Sequence, residues 1–244
     1  MDKSLHISGS SASEIMLGQA ICAQNLSNVS TPGFKAAMLA EQSIPLYGDG
    51  MPSRVYVGAE TVGYDFAPGS IKNTGNPLDL VVTKDGWLTV QGSNGQEGYT
   101  KRGDLRVENG MLVNGAGNMV IGDGGPISIP PAQSINIEEN GTITITPLGN
   151  SSAKIMVDKI KLVKPEGRDL TKGEEGLFVN KNSAIAEADR SVRIKTGMVE
   201  ASNVNAVSEM IELITLARQH ELSLKMMSNA EENDQALAQL LRIG

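Results

Sequence analysis

The sequence predicts an α+β fold, with paired N- and C-terminal helices forming a coiled coil and an all-β domain inserted between them. Three observations carry this. Apolar residues recur at helical spacing at both chain ends. The stretch between breaks into short β-branched runs set apart by turn residues. The first helical pattern ends abruptly at Thr31-Pro32-Gly33. The domains implied are 1–30 with 200–244 for the helices, 31–75 as an irregular connecting segment, and 76–199 as a β-rich domain.

The first element runs from about Ser4 to Val29. Its heptad stripe carries Leu5, Ser8, Ala12, Ile15, Gln19, Cys22, Leu26 and Val29. Most of these are apolar, but the stripe is narrow, as in a coiled-coil seam rather than the broad face of a globular helix. Asn25, Ser27, Asn28 and Ser30 weaken the end of the helix, because their side chains compete for backbone hydrogen bonds. Pro32 biases Thr31 away from helical backbone, and Gly33 permits a turn. A helix with so little stripe needs a partner.

The partner is expected at the other end. From Val204 to Leu241, Val207, Met210, Ile211, Leu213, Ile214, Ala217, Leu224, Met227, Leu237 and Leu241 repeat at helical spacing. Residues from Ser202 to Asn205 offer N-caps. This stripe is wider than the first, wide enough to touch the N-terminal helix and a neighbouring molecule together. Ile15, Cys22, Val29, Val207, Met210, Ile214, Ala217 and Leu224 are the expected helix-packing residues.

Residues 31–75 carry Pro32, Pro45, Pro52 and Pro68 with several Gly, which predicts extended segments and a weakly signalled hairpin around Arg54–Val57. Beyond Asn76 come LDLVV, WLTV, LRVENGMLV, NMVIG, SINI, TITIT, KIMVDKIKLV and SVRIKTGMV. Lys84-Asp85-Gly86, Asn94-Gly95, Asn109-Gly110 and Asn140-Gly141 punctuate them as turns.

The 244 residues hold 40% hydrophobic and 20% charged side chains, enough for a core. Aromatic content is 3%, which argues against a stacking platform for sugars or bases. Net charge is −7 with pI about 5.0 and no basic run, so nucleic-acid binding is not expected. No apolar run reaches the roughly 18 residues of a membrane span, so membrane insertion is not expected. The polar MDKSLHISGS start lacks the apolar core of a cleavable signal. A single cysteine, Cys22, excludes an internal disulfide and reads as a small buried hydrophobe. His6 and His220 are the only histidines, and neither sits in a catalytic constellation.

Other motifs carry no chemistry. Gly122-Asp123-Gly124-Gly125 lacks the Lys-Ser/Thr of a phosphate loop. Glu138-Glu139-Asn140-Gly141 lacks the alternating ligands of a calcium loop. Nothing fixes Asp79 and Asp85 as a glycosidase pair. Lys101, Arg102 and Arg106 read as a solvated face, and Arg102-Gly103-Asp104 as a chance adhesion tripeptide. No catalytic residue, cofactor site or metal site is expected.

AQNLSNVSTPGFK at 23–35 resembles the N-terminal motif of the flagellar axial proteins, the rod and hook family. MVEASNVNAVSEMIELITLARQHE at 198–221 resembles that family's second motif, and residues 85–122 its central block. The three stand in the family's order along the chain. DFAPGSIKNTGNPLDLVV and IGDGGPISIPP resemble the proximal-rod members more than the distal-rod ones, which are the runner-up. His220 departs from the family, which usually has an aromatic residue there.

The resemblance implies a structural subunit, not an enzyme, within the proximal part of the rod. It implies that the helices line an inner tube and that the β-domain faces outward. The implied partners are further copies, other rod proteins including the distal one, and the flagellar type III export apparatus, which passes the chain without a cleaved signal. The assembly motif carried over is Asn25, Leu26, Asn28, Thr31, Pro32, Gly33, Phe34, Glu200, Ser202, Asn203 and Val204. Both chain ends are expected to be largely disordered before assembly. A secreted β-rich adhesin or binding module is the alternative from another class.

Overall fold

The computed structural model describes residues 3–45, 55–83, 85–149, 153–173, 175–182 and 184–243. Among the described residues, two α-helices, α1 (Lys3–Ser27) and α2 (Ala206–Ile243), bracket eighteen strands. In chain order these are β1 (Ala37–Pro45), β2 (Val55–Tyr64), β3 (Ile71–Asn73), β4 (Leu80–Val82), β5 (Trp87–Gln91) and β6 (Glu97–Thr100). Then come β7 (Leu105–Glu108), β8 (Met111–Asn114), β9 (Met119–Gly122), β10 (Gly125–Pro126), β11 (Ala132–Ile137) and β12 (Thr142–Pro147). The last are β13 (Ile155–Lys159), β14 (Leu162–Val163), β15 (Leu170–Lys172), β16 (Phe178–Asn180), β17 (Ile194–Thr196) and β18 (Met198–Glu200). No helix among the described residues is long and apolar enough to cross a membrane.

The chain divides into two units. A helical unit holds Met1–Val29, Lys35–Asp65 and Val204–Gly244; a β unit holds Ser30–Phe34 and Phe66–Asn203.

This corrects the expected fold class of a coiled coil carrying one inserted all-β domain. The chain is strand-rich, with five sheets among the described residues, and the β1–β2 sheet belongs to the helical unit. The physical reason lies on α1. Its inner face is too small and polar for a coiled-coil seam, and a strand takes part of it. A Cβ on Gly18 would lie 3.3 Å from Leu216 Cδ1 of α2 and 4.0 Å from Leu39 Cδ2 of β1. Asn25, one turn from the helix end, bonds to the backbone of Ala37 at the start of β1.

Within the segment 31–75, where extended stretches and a weak hairpin are expected, two long strands form. β1 and β2 pair antiparallel from Ala37↔Tyr64 to Pro45↔Val55, with a register shift at Ala40/Glu41. Pro45 stands at the last described pair of this ladder, opposite Val55. Arg54, where the weak hairpin signal began, lies outside the described residues.

In the β unit, the apolar runs read from sequence become strands. Asn109 and Gly110, with φ of 51° and 78°, form the two-residue link between β7 and β8, the conformation that an Asn-Gly hairpin turn demands. The largest sheet has nine strands, with the path β15-β16-β6-β5-β9-β8-β7 and with β10 and β14 joined to β9 and β5. β11-β12-β13 forms a three-stranded sheet, and β17-β4 and β18-β3 are two-stranded. Leu88, Val90, Leu112, Val120, Ile127, Ile143, Ile160 and Ile194 are buried in one core cluster. Burying each such side chain contributes about 1.5–3 kcal/mol. On the other face of β5, Trp87 and Phe178 stand 5.1 Å apart, and Phe66 meets both edge-on at 5.7 and 5.5 Å.

Candidate functional site: the motif loop and the return strand

The residues that carry the N-terminal motif first end a helix. Ser27 Oγ and Asn28 Nδ2 both donate to the carbonyl of Gln24, taking an acceptor at the fraying end of α1. The amides of Asn28 and Val29 turn back on Asn25 and Leu26. Asn25 itself is 3% exposed. Its amide group donates to Ala37 O and accepts from Ala37 N, each at 2.9 Å, and makes a longer 3.4 Å bond to Glu209 of α2.

After Val29 the chain enters the β unit. Gly33 has φ of +67°, a conformation that a side chain strains. A Cβ there would lie 2.3 Å from the carbonyl carbon of Lys101 and 2.5 Å from Arg102 N. Only glycine lets the loop lie this close to that backbone. Gly33 N–H donates to Glu200 O at 2.7 Å, joining the motif loop to β18. Thr31 and Pro32 are half-buried in the loop.

Glu200 is the hinge of the second motif. It is buried, and its Oε1 accepts the Gly69 N–H at 3.0 Å. Gly69 is packed against Ala201, where a Cβ would meet the Ala201 carbonyl oxygen at 1.9 Å. Ala201 N–H donates to Ser70 O at 2.8 Å. Asn203 Nδ2 reaches Ala67 O at 3.3 Å, and its N–H makes a long bond to Phe34 O. Within the β unit, then, the structure brings Gly33, Phe34, Glu200 and Asn203 together. Ser202 is half-buried beside them in sequence. Of the N-cap candidates, the structure uses Asn205, whose Oδ1 accepts from Val207 and Ser208 N–H.

The helix-packing residues divide differently. Cys22 is buried, and Ile15 and Val29 are half-buried; of the assembly-motif residues beside them, Leu26 is half-buried and Val204 is buried ahead of α2. On α2 only Ala217 is half-buried; Val207, Met210, Ile214 and Leu224 stand in solvent, at 66, 51, 52 and 49% exposure. Ile211 joins them at 62%. Among the α2 residues that meet α1 are Glu209 and Leu216, with Glu212 close by, none of which the apolar pattern singled out.

Burial is the main reason that the Cys22 thiol is pushed up to about 11, with Glu212 and Glu209 adding to the shift. Its sulfur and one carboxylate oxygen from each glutamate lie within 4.8 Å of one another. At neutral pH the thiol is protonated and donates to Glu209. His220, the departure from the family pattern, has a buried Nδ1 with no hydrogen-bond partner. The adhesion tripeptide is spent internally. Arg102 and Asp104 pair with each other through two bonds of 2.8 and 3.0 Å, and a Cβ on Gly103 would collide with Leu80 O.

Two sequence families match. The one described as flagellar basal body rod FlgEFG protein C-terminal matches residues 195–240, and the flagellar hook protein FlgE/F/G D1 domain matches 81–145. The chain is 37% identical to the flagellar basal-body rod protein FlgF of Salmonella typhimurium over 99% of both chains. It belongs to the FlgF family of flagellar basal-body rod proteins. The FlgF of Escherichia coli is 36% identical over the same share. A FlgG rod protein of Buchnera aphidicola is 26% identical, covering 98% of this chain and all of the relative. The C-terminal match begins at Lys195 in β17, so it takes in Glu200 and the return into α2 as well as the helix.

Proposed function

We infer that this chain is a structural subunit of the flagellar rod, placed in the basal body, and that it assembles with other rod proteins. The observation that carries this is the full-length relationship to rod proteins, which spans both motifs. The geometry supports it in a specific way. A row of apolar residues on α2, Val207, Met210, Ile211 and Ile214, is left in water in the single chain. Contiguous exposed apolar surface of this kind marks an interaction site. The motif loop and return strand are built from backbone contacts and glycines, which suits a geometric role rather than a catalytic one.

The finer reading is that the chain forms part of the proximal rod and connects the basal body to the distal rod and hook. On this reading it reaches the periplasm through the type III export apparatus without losing a signal peptide and does not enter the membrane. Residues 25–34 and 200–205 set the path of the chain in and out of the β unit, and the α2 row is buried on neighbouring subunits. Electron microscopy of basal bodies from cells lacking the chain tests this. Basal bodies that keep the membrane ring but carry no distal rod or hook are expected. Complete hooks and filaments would overturn it.

A further inference from the structure

We propose that Lys172 is the positioning residue that fastens the motif loop, holding the Phe34 side chain on the β unit through its ammonium group. Neither sequence motif contains this residue. Its Nζ stands 4.4 Å from the centroid of the Phe34 ring, well inside the range of a cation–π contact. Such contacts strengthen as water is removed from them. Lys172 is partly buried, and that burial holds its ammonium below the usual lysine range.

The placement explains why one lysine matters. Lys172 ends β15 and pairs directly with Phe178 of β16, so both side chains leave the same face of the sheet. Phe178 is part of the aromatic cluster with Trp87 and Phe66. Lys101, whose backbone receives Gly33, has its own Nζ 5.4 Å above the Trp87 ring. The loop is therefore held on its backbone at Glu200 O, along Lys101–Arg102 and by the long bond from Asn203 N–H to Phe34 O, and on its side chain by Lys172. The backbone grips fix Gly33. Lys172 adds a hold on the side chain of the next residue.

The proposal rests on the loop's geometric role in the rod reading, but its test is made on the purified full-length chain and does not depend on rod assembly. Hydrogen exchange is followed at the amides of Thr31 and of residues 33–36 in K172M and K172R, with Trp87 fluorescence reporting denaturation of the β unit. K172M keeps the stem and removes the charge; K172R keeps the charge. Exchange at Gly33 is expected to rise about tenfold in K172M, with an unchanged fluorescence midpoint, and to stay near wild type in K172R. Wild-type exchange in K172M, or an equal rise in both variants, would overturn the proposal. If K172M lowers the midpoint, the F34L background decides. There the substitution is expected to have no further effect on Gly33, and an undiminished effect would overturn the proposal. Failure of the rod reading would appear instead as normal basal bodies in cells lacking the chain, whatever the exchange result.

Discussion

Asn25 holds Ala37 by both of its backbone groups. A side-chain amide on the last turns of α1 thus acts as an extra backbone unit, pairing with a strand start twelve residues on. Burial makes this specific, because a buried amide must find both a donor and an acceptor. The replacement Asn25→Ala leaves the N–H and C=O of Ala37 unpaired and should cost about 2–4 kcal/mol by urea denaturation. Asn25→Asp keeps the acceptor but sets a carboxylate against Ala37 O and beside Glu209. It should destabilise the helical unit at least as much at pH 7, and less at pH 4 than at pH 7.

Gly33 should tolerate neither alanine nor asparagine. Asparagine accepts positive φ more readily than most residues, so it would rescue a site that was limited by backbone conformation alone. Here a Cβ meets the Lys101–Arg102 backbone, and both variants carry one. Gly33→Asn is therefore expected to destabilise the β unit nearly as much as Gly33→Ala, by more than the ~1 kcal/mol of an ordinary glycine replacement. A full rescue by asparagine in thermal unfolding would show that the close approach is not limiting.

Cys22 makes the helical unit sensitive to alkali. Its thiol titrates near 11 in the folded chain against an ordinary value of 9.0. A raised folded value means that the contribution to stability is complete below 9 and is lost as the pH rises towards 11. Denaturation midpoints should fall across that window in the wild type and fall less in Cys22→Ala. At pH 8 the native thiol should react with iodoacetamide far more slowly than the same thiol in urea.

The exposed α2 row should matter to assembly and not to the single chain. Ile214→Asp is expected to change the unfolding free energy of the purified protein by no more than about 0.5 kcal/mol, as for most exposed sites. In cells it should reduce swimming on soft agar. Normal swimming with the variant present at wild-type levels would show that this row is not an interface.

Much of the β unit was legible because its signals are local. Asn109-Gly110 dictates a hairpin turn from two residues, and runs such as TITIT need only alternation to read as strands. The motif loop was legible as a stop, since Pro32 and Gly33 act through their own backbones. What could not be read is what depends on distant partners. Nothing near Lys172 announces Phe34, and nothing in the apolar pattern of α2 indicates that Glu209 would meet Asn25 while Val207 stayed in water. The pairing of β1 with β2 reaches well beyond the weak hairpin signal at Arg54–Val57, because its register joins residues as far apart as Ala37 and Tyr64. The terminal helices were assigned a coiled-coil seam because periodicity counts apolar positions without weighing how small and polar the α1 face is.

The strands that close the β unit have a consequence for the order in which it can form. Thr83 Oγ1 bonds to Arg193 O across 110 residues, and Gly69 N–H bonds to the Glu200 side chain across 131. β3 and β4 therefore wait for β18 and β17, which are made near the end of the chain. Contacts so far apart in sequence form late, after most of the loop-closure entropy has been lost. A nascent chain emerging from the ribosome lacks the first clasp until Arg193 is free and the second until Glu200 is. For most of its synthesis the protein is a string with an unfastened buckle, and only its last tenth or two snaps the unit shut.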